Sequence, residues 1–273
     1  MRRAGVGQVK RVIGVLMTAF WFSLPPADSA AAEPEAAAVV KKSLDALYYA
    51  GDDMRAQVSM RLINPQGKER KRDMTMLRKN LPGDEQRYFI YFHAPADVKG
   101  TALMVWKYLE REDDRWIFIP AIKLVRRIAA DDKRSSFVGS DFTYEDVSGR
   151  NVADEVHALL RVEELNGRPT YVSESHPKEK TDYVRRLSWI DRERWLPLQE
   201  EYFDIRDERL RLFTADEVKE VQGHWTVTRR VMNDVRSGHR TEVVFHGVQY
   251  GIGLTEDLFS ERYLRRPPAR WIQ

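Results

Sequence analysis

The sequence predicts a mainly β protein: one large domain of antiparallel strands, closed or nearly closed into a barrel and led by a single amphipathic helix. Three observations predict it. Beyond residue 52, short runs rich in Val, Ile, Tyr, Phe and Trp recur at roughly 10–15-residue spacing. Turn pairs divide them, among them Asn64-Pro65, Pro82-Gly83 and the hairpin pair Asn166-Gly167. Only one stretch ahead of these runs has a clear helical period.

The chain opens with Arg2, Arg3, Lys10 and Arg11, then an apolar run from Val12 to Leu24, then Ala30-Ala31-Ala32. That order of basic, apolar and small residues describes a secretory signal peptide over residues 1–32, with a single domain at 33–273. The run is shorter than the roughly 20 residues a bilayer span takes. The helix follows at Pro34 to Tyr49, where Ala36, Val39, Val40, Leu44, Leu47 and Tyr48 form one stripe and Gly51 ends it. Strands then succeed one another through "QVSMRLI", "QRYFIYF", "TALMVWKYL" and "RWIFIP". In the second half they continue through "TYVSESH", "DYVRRLSWID", "RLRLFTADEV" and "TEVVFHGVQY". The expected total is about ten or eleven, a number that favours closure because closure removes exposed edges. Thr255 opens a short C-terminal helix, "TEDLFSERYL".

Composition narrows the function. Losing residues 1–32 removes four basic residues and one acidic residue, which takes the formal charge of +3 to zero. A neutral mature chain has no bulk electrostatic attraction to nucleic acid. There is no cysteine, so no disulfide, no thiolate chemistry and no lipid anchor of the bacterial lipoprotein kind. A soluble, monomeric periplasmic protein is expected.

Few motifs carry chemistry. His93, His157, His176, His224, His239 and His246 are scattered without metal-ligand spacing, so no metal or cofactor is expected. Gly139-Ser140-Asp141 is not a G-x-S-x-G nucleophile elbow, and Ser140 has no base in view, so no catalytic residue is assigned. The stretch "FVGSDFTYEDV", Phe137 to Val147, reads as a corner or a recognition loop. Gly139 permits a backbone conformation closed to other residues, Ser140 and Asp141 cap local N–H groups, and Phe137, Phe142 and Tyr144 anchor the loop. In "TALMVWKYL", Met104, Trp106 and Tyr108 share one parity, and Trp116 and Phe118 follow on the next strand. Such aromatics either fill a barrel core or line a ligand cavity.

"YFHAPADVKGTALMVW", "WIFIPAIKLVRRI", "SSFVGSDFTYEDV", "YVRRLSWIDRERWLPLQEEYFD" and "WTVTRRVMNDVRSGHRT" together resemble the outer-membrane lipoprotein-sorting protein family, the broad LolA-like group. The resemblance runs in order over nearly the whole mature chain. Its carried positions are Pro95, Gly100, Thr101, Pro120, Gly139, Ser140, Asp141, Phe142, Glu145 and Asp146, then Trp189, Ile190, Asp191, Pro197, Met232 and Thr241. The resemblance implies an incomplete antiparallel barrel around an apolar cavity, with helices as plug or lid. It implies a carrier that shields lipoprotein acyl chains or lipid between an inner-membrane donor and an outer-membrane acceptor. On that reading Met104, Trp106, Tyr108, Trp116 and Phe118 line the cavity, and the first helix closes over it through Val40, Leu44 and Leu47. Members of the wider family also accompany exporters of the resistance-nodulation-division type, so an accessory subunit of such an exporter is the alternative. A hydrolase is a third reading.

Overall fold

The computed structural model describes residues 34–273, together with Met1 and Gly5. The expected signal peptide at 1–32 lies outside the described residues apart from those two.

Helix α1 spans Ala36–Tyr48 and buries Val39, Val40 and Ser43. Thirteen strands follow in one sheet, every neighbouring pair antiparallel. They are β1 (Asp53–Ile63), β2 (Glu69–Asn80), β3 (Gln86–Ala94), β4 (Ala102–Lys107), β5 (Asp114–Ile119) and β6 (Leu124–Ile128), then β7 (Glu155–Leu165) and β8 (Arg168–Pro177). The set ends with β9 (Arg185–Asp191), β10 (Pro197–Phe203), β11 (Arg209–Val221), β12 (His224–Asp234) and β13 (Arg240–Tyr250).

The spatial order is β6-β5-β4-β3-β2-β1-β13-β12-β11-β10-β9-β8-β7. The first and last strands pair at the centre, and among the described residues β6 and β7 are free edges. The sheet therefore is not closed. This topology dictates what the stretch Phe137 to Val147 does. The chain runs outward from β1 to one edge, and must then cross to the opposite edge before returning inward to β13. It crosses between residues 129 and 154, over one face of the sheet, and helix α2 (Tyr144–Ser148) sits in that crossing.

The two faces carry separate cores. On the crossed face, Val58, Met60, Met74, Met76, Tyr88, Ile90 and Phe92 from one half of the sheet meet Tyr202, Phe213, Met232 and Val243 from the other, with Phe137, Phe142, Tyr144 and Val147 between them. Contact between such distant strands requires the sheet to curl, so this is its inner face. On the outer face Leu77, Phe89, Ala102 and Met104 are covered by Leu254, Leu258, Phe259 and Leu264 of the C-terminal segment.

Two expectations are corrected in detail. The sheet has thirteen strands rather than ten or eleven, and β6, "LVRRI", carries no strand signal. It is an edge with Leu124, Arg126 and Arg127 exposed, so it needs no alternation of apolar and polar residues. The C-terminal helix is broken into a 3-10 turn at Glu256–Leu258, α3 (Glu261–Arg265) and α4 (Ala269–Ile272). Phe259, at φ −99° and ψ 53°, interrupts the first of them.

Candidate functional site

Partway along, the crossing segment makes a tight turn. The Ser140 N–H donates to the Phe137 carbonyl at 3.0 Å, and Val138 and Gly139 between them have φ of 51° and 78°. Both values are left-handed, which glycine adopts freely and a β-branched residue such as Val138 only at a cost in strain. Asp141 then pins the segment to β13. Its carboxylate accepts from Thr241 Oγ1 at 2.6 Å and meets His239 Nδ1 at 2.7 Å, and its backbone N–H donates to Thr241 Oγ1 at 3.0 Å. Thr143 and Asp146 close a capping box on α2, bonding to each other's N–H at 3.1 and 2.8 Å.

Ser140 is buried and engaged locally. Its hydroxyl donates to the Phe142 carbonyl at 3.2 Å and accepts from the Phe142 N–H at 3.3 Å, while the neighbouring His239 is turned toward Asp141. These contacts are those of a structural corner. Gly139→Val is therefore expected to lower stability by about 1 kcal/mol or more. Ser140→Ala should leave ligand binding within about twofold, since it removes only the two local bonds to the Phe142 backbone. Thermal melts and binding titrations of the two variants check this; loss of all binding by Ser140→Ala at an unchanged melting temperature would contradict it.

Behind α2 the interior is charged. Asp146 Oδ1 accepts from Arg150 at 2.6 Å and its Oδ2 accepts from Arg211 at 3.2 Å. Arg150 also pairs with Glu145 at 3.1 Å. Deeper, Arg186 bridges Glu155 and Glu200, and Tyr183 and Tyr202 donate to the same two carboxylates at 2.9 and 2.8 Å. Burial alone would raise the Asp146 carboxyl, but Arg150 and Arg211, with the Thr143 N–H, hold it well below the usual carboxylate range. Burial likewise opposes the Glu155 carboxylate, and Arg186, Arg150 and the Tyr183 hydroxyl together keep it low. Glu145, Asp146 and Arg150 are neighbours in sequence, but the sequence offers no signal that they meet Arg211, or that Arg186 meets Glu155 and Glu200, because those partners lie far apart in the chain.

Helix α1 lies over the second half of the sheet, against β7, β8, β9 and β12. Val39 and Val40 pack with Tyr171 and Ile190, with Leu44 and Trp195 beside them. Leu47 reaches the small cavity described below. At its C-terminal end α1 is held by polar contacts: Tyr48 Oη donates to the Asp146 carbonyl at 3.0 Å, and Gln86 Nε2 donates to the Tyr48 carbonyl at 2.8 Å.

Met104, Trp106, Trp116 and Phe118 do gather, but on the outer face beneath the C-terminal segment. Trp106 Nε1 donates to the Phe259 carbonyl at 2.8 Å, and its ring meets Trp116 edge-on at 5.2 Å. Tyr108 lies just past β4, its ring under the Arg111 guanidinium at 3.4 Å. Four of the five residues expected to line a cavity thus pack on the outer face, and their neighbours Leu103 and Val105 face inward instead. The inner face has a different signature. Met54, Met60, Met74, Met76 and Met232, five of the chain's eight methionines, lie in the inner core. Unbranched, polarisable side chains of this kind adapt to the shape of what they touch.

The interior is nearly full. Between α1, α2 and the sheet lies a cavity of about 50 Å³, bordered by Leu47, Tyr48, Met76, Tyr88, Val147 and Arg230. That is room for a few water molecules and not for an acyl chain. The apolar interior that the sheet wraps is plugged by α1 and the crossing segment.

Comparison with known proteins agrees with this architecture. A family model described as an uncharacterized protein matches residues 84–266. No curated protein matches the chain. Among solved structures, a DUF1329 family protein from Desulfovibrio piger is 29% identical, with a TM-score of 0.76 over 83% of this chain and 95% of its own. A domain from Vibrio parahaemolyticus named for outer membrane lipoprotein sorting is 28% identical, with a TM-score of 0.79 over 85% and 98% of the two chains. A LolA superfamily protein from Nitrosomonas europaea shares the fold at 20% identity, TM-score 0.67, over 84% of this chain and 100% of its own. The match over residues 84–266 and the likeness of the Desulfovibrio protein place the chain: it belongs to the DUF1329 family, and it has a LolA-like fold.

Proposed function

We propose that the protein is a periplasmic carrier that shields the acyl chains of a lipid or lipidated protein as they pass between membranes. One observation carries this reading. The inner face of the sheet is apolar and rich in methionine, and it is covered by a helix and a strap rather than by a second sheet. A cover with few contacts can leave without unfolding the sheet. Helix α1 is such a cover, since Val39 and Val40 are its only fully buried apolar residues. Kinship with a domain named for outer membrane lipoprotein sorting supports the same cargo class. The leader expected at residues 1–32 supports the compartment.

The cargo enters by displacing α1, and its chain takes the place of Leu47 beside Val147 and the methionines. Each buried CH₂ contributes about 0.8 kcal/mol, so one long chain supplies much of the affinity. Native mass spectrometry of protein released gently from the periplasm tests the reading. The expected spectrum contains a lipid adduct that detergent strips away. Protein that stays bare after incubation with membranes, yet retains an inner-membrane exporter, would favour the accessory-subunit alternative instead.

A further inference from the structure

Arg230 of β12 is 8% exposed, and its guanidinium lies between the rings of Phe142, at 5.4 Å, and Phe245, at 4.8 Å. Among the described residues it has no ion pair and no side-chain hydrogen bond, and its Nε is enclosed without a partner. Asp146, the one carboxylate whose charge acts on it, is engaged elsewhere: Arg150 donates to one oxygen, and Arg211 and the Thr143 N–H donate to the other. Arg230 borders the small interior cavity together with Arg78, and no acidic residue borders it. Arg78 spends its two terminal nitrogens on the carbonyls of Tyr48 and Ala50. Arg230 spends its own on nothing.

A guanidinium cannot shed its proton to escape burial. Buried and unpaired, it is a standing cost in the empty protein, and an apolar side chain of similar length would remove that cost. The two phenylalanine faces offset part of the cost through the π-clouds, but they leave the in-plane N–H donors unspent. Those donors form a planar fork that matches a carboxylate or phosphate. The wall beside it is apolar and adaptable. An apolar channel with one unspent cation is complementary to a ligand that has a long chain and one negative head.

We infer that the interior takes an anionic amphiphile, its oxyanion head paired with Arg230 and its chain laid along the methionine-lined wall. This rests on the carrier reading and narrows its cargo. Burial holds the guanidinium below its usual basicity, which is what an absent counter-ion produces. The head reaches Arg230 once Leu47 and Tyr48 of α1 move aside.

Three fluorescent probes of one chain length test this: a fatty acid, the corresponding alkyl phosphate, and the methyl ester of the acid. Wild type should bind at least one of the two anions tenfold or more tighter than the ester, and the tighter of the two identifies the head. Arg230→Met should abolish that preference while binding the ester as well as wild type does or better. Arg230→Lys should retain part of the preference. Without ligand, Arg230→Met should melt at or above the wild-type temperature, which separates a lost head contact from a lost fold. Equal binding of all three probes by wild type would overturn the inference and leave the carrier reading standing. Binding of none of them would overturn both.

Discussion

Asp146→Asn should destabilise the protein by about 3 kcal/mol, because it removes one member of a buried charge set and leaves the rest in place. Arg150 would keep Glu145, but Arg211 would retain only Asp182, at 3.5 Å and half exposed. The capping box survives in part, since an asparagine oxygen can still accept from the Thr143 N–H. The loss therefore reports the charge network and not the cap. Equilibrium unfolding in urea measures it, and a loss below about 1 kcal/mol would mean that the network contributes no more than an exposed ion pair does.

The same carboxylate predicts the pH dependence. Asp146 has a folded pKa below its unfolded value, and so does Glu155. The unfolded state therefore takes up protons first as the solution is acidified, and stability falls. The contribution is complete above about pH 4.5, near the unfolded values of Asp and Glu, and it is lost progressively below that as the pH approaches the lower folded values. Asp146→Asn should flatten this acid limb. A variant with the wild-type slope between about pH 4.5 and 2.5 would place the titrating groups elsewhere.

Local pattern made much of the fold legible. Helix α1 and twelve of the strands carry a period or an alternation of their own, and positions taken from the family resemblance meet in space. Asp141 bonds Thr241 across 100 residues, and Gly100 packs against Pro120. The rest depends on long-range pairing. Alternation says that Met104 and Trp106 share a face, but not which face the sheet turns inward. That is decided by the pairing of β1 with β13 and by where the C-terminal segment lies. The charge network was illegible for the same reason. Arg186, Glu155 and Arg211 look like solvated strand residues until the strands are paired and the crossing segment that carries Asp146 is laid over them. The left-handed Gly149, at φ 82°, is another such case. A Cβ there would come to 3.0 Å from the Tyr48 ring, so the approach of α1, remote in sequence, adds a second demand for glycine to that of the backbone.

Trp106→Ala should cost about 3 kcal/mol of stability and leave acyl-probe binding by the folded protein unchanged. The substitution removes the Trp106 Nε1 bond to the Phe259 carbonyl and the edge-on contact with Trp116, and it opens a void under Leu258 and Phe259. These contacts tie the C-terminal segment to the outer face. They have no part in the inner wall, so melting temperature should fall while affinity stays. Met76→Ala is the converse case. It is a smaller loss of packing, but Met76 borders the interior cavity, and its removal should change probe affinity by about fivefold, a shift near 1 kcal/mol. Measured together, the two variants decide which face holds the ligand. If Trp106→Ala instead stays folded and loses the probe while Met76→Ala keeps it, the outer face is the site. The segment carrying Leu254, Leu258, Phe259 and Leu264 would then be the lid that α1 is here proposed to be.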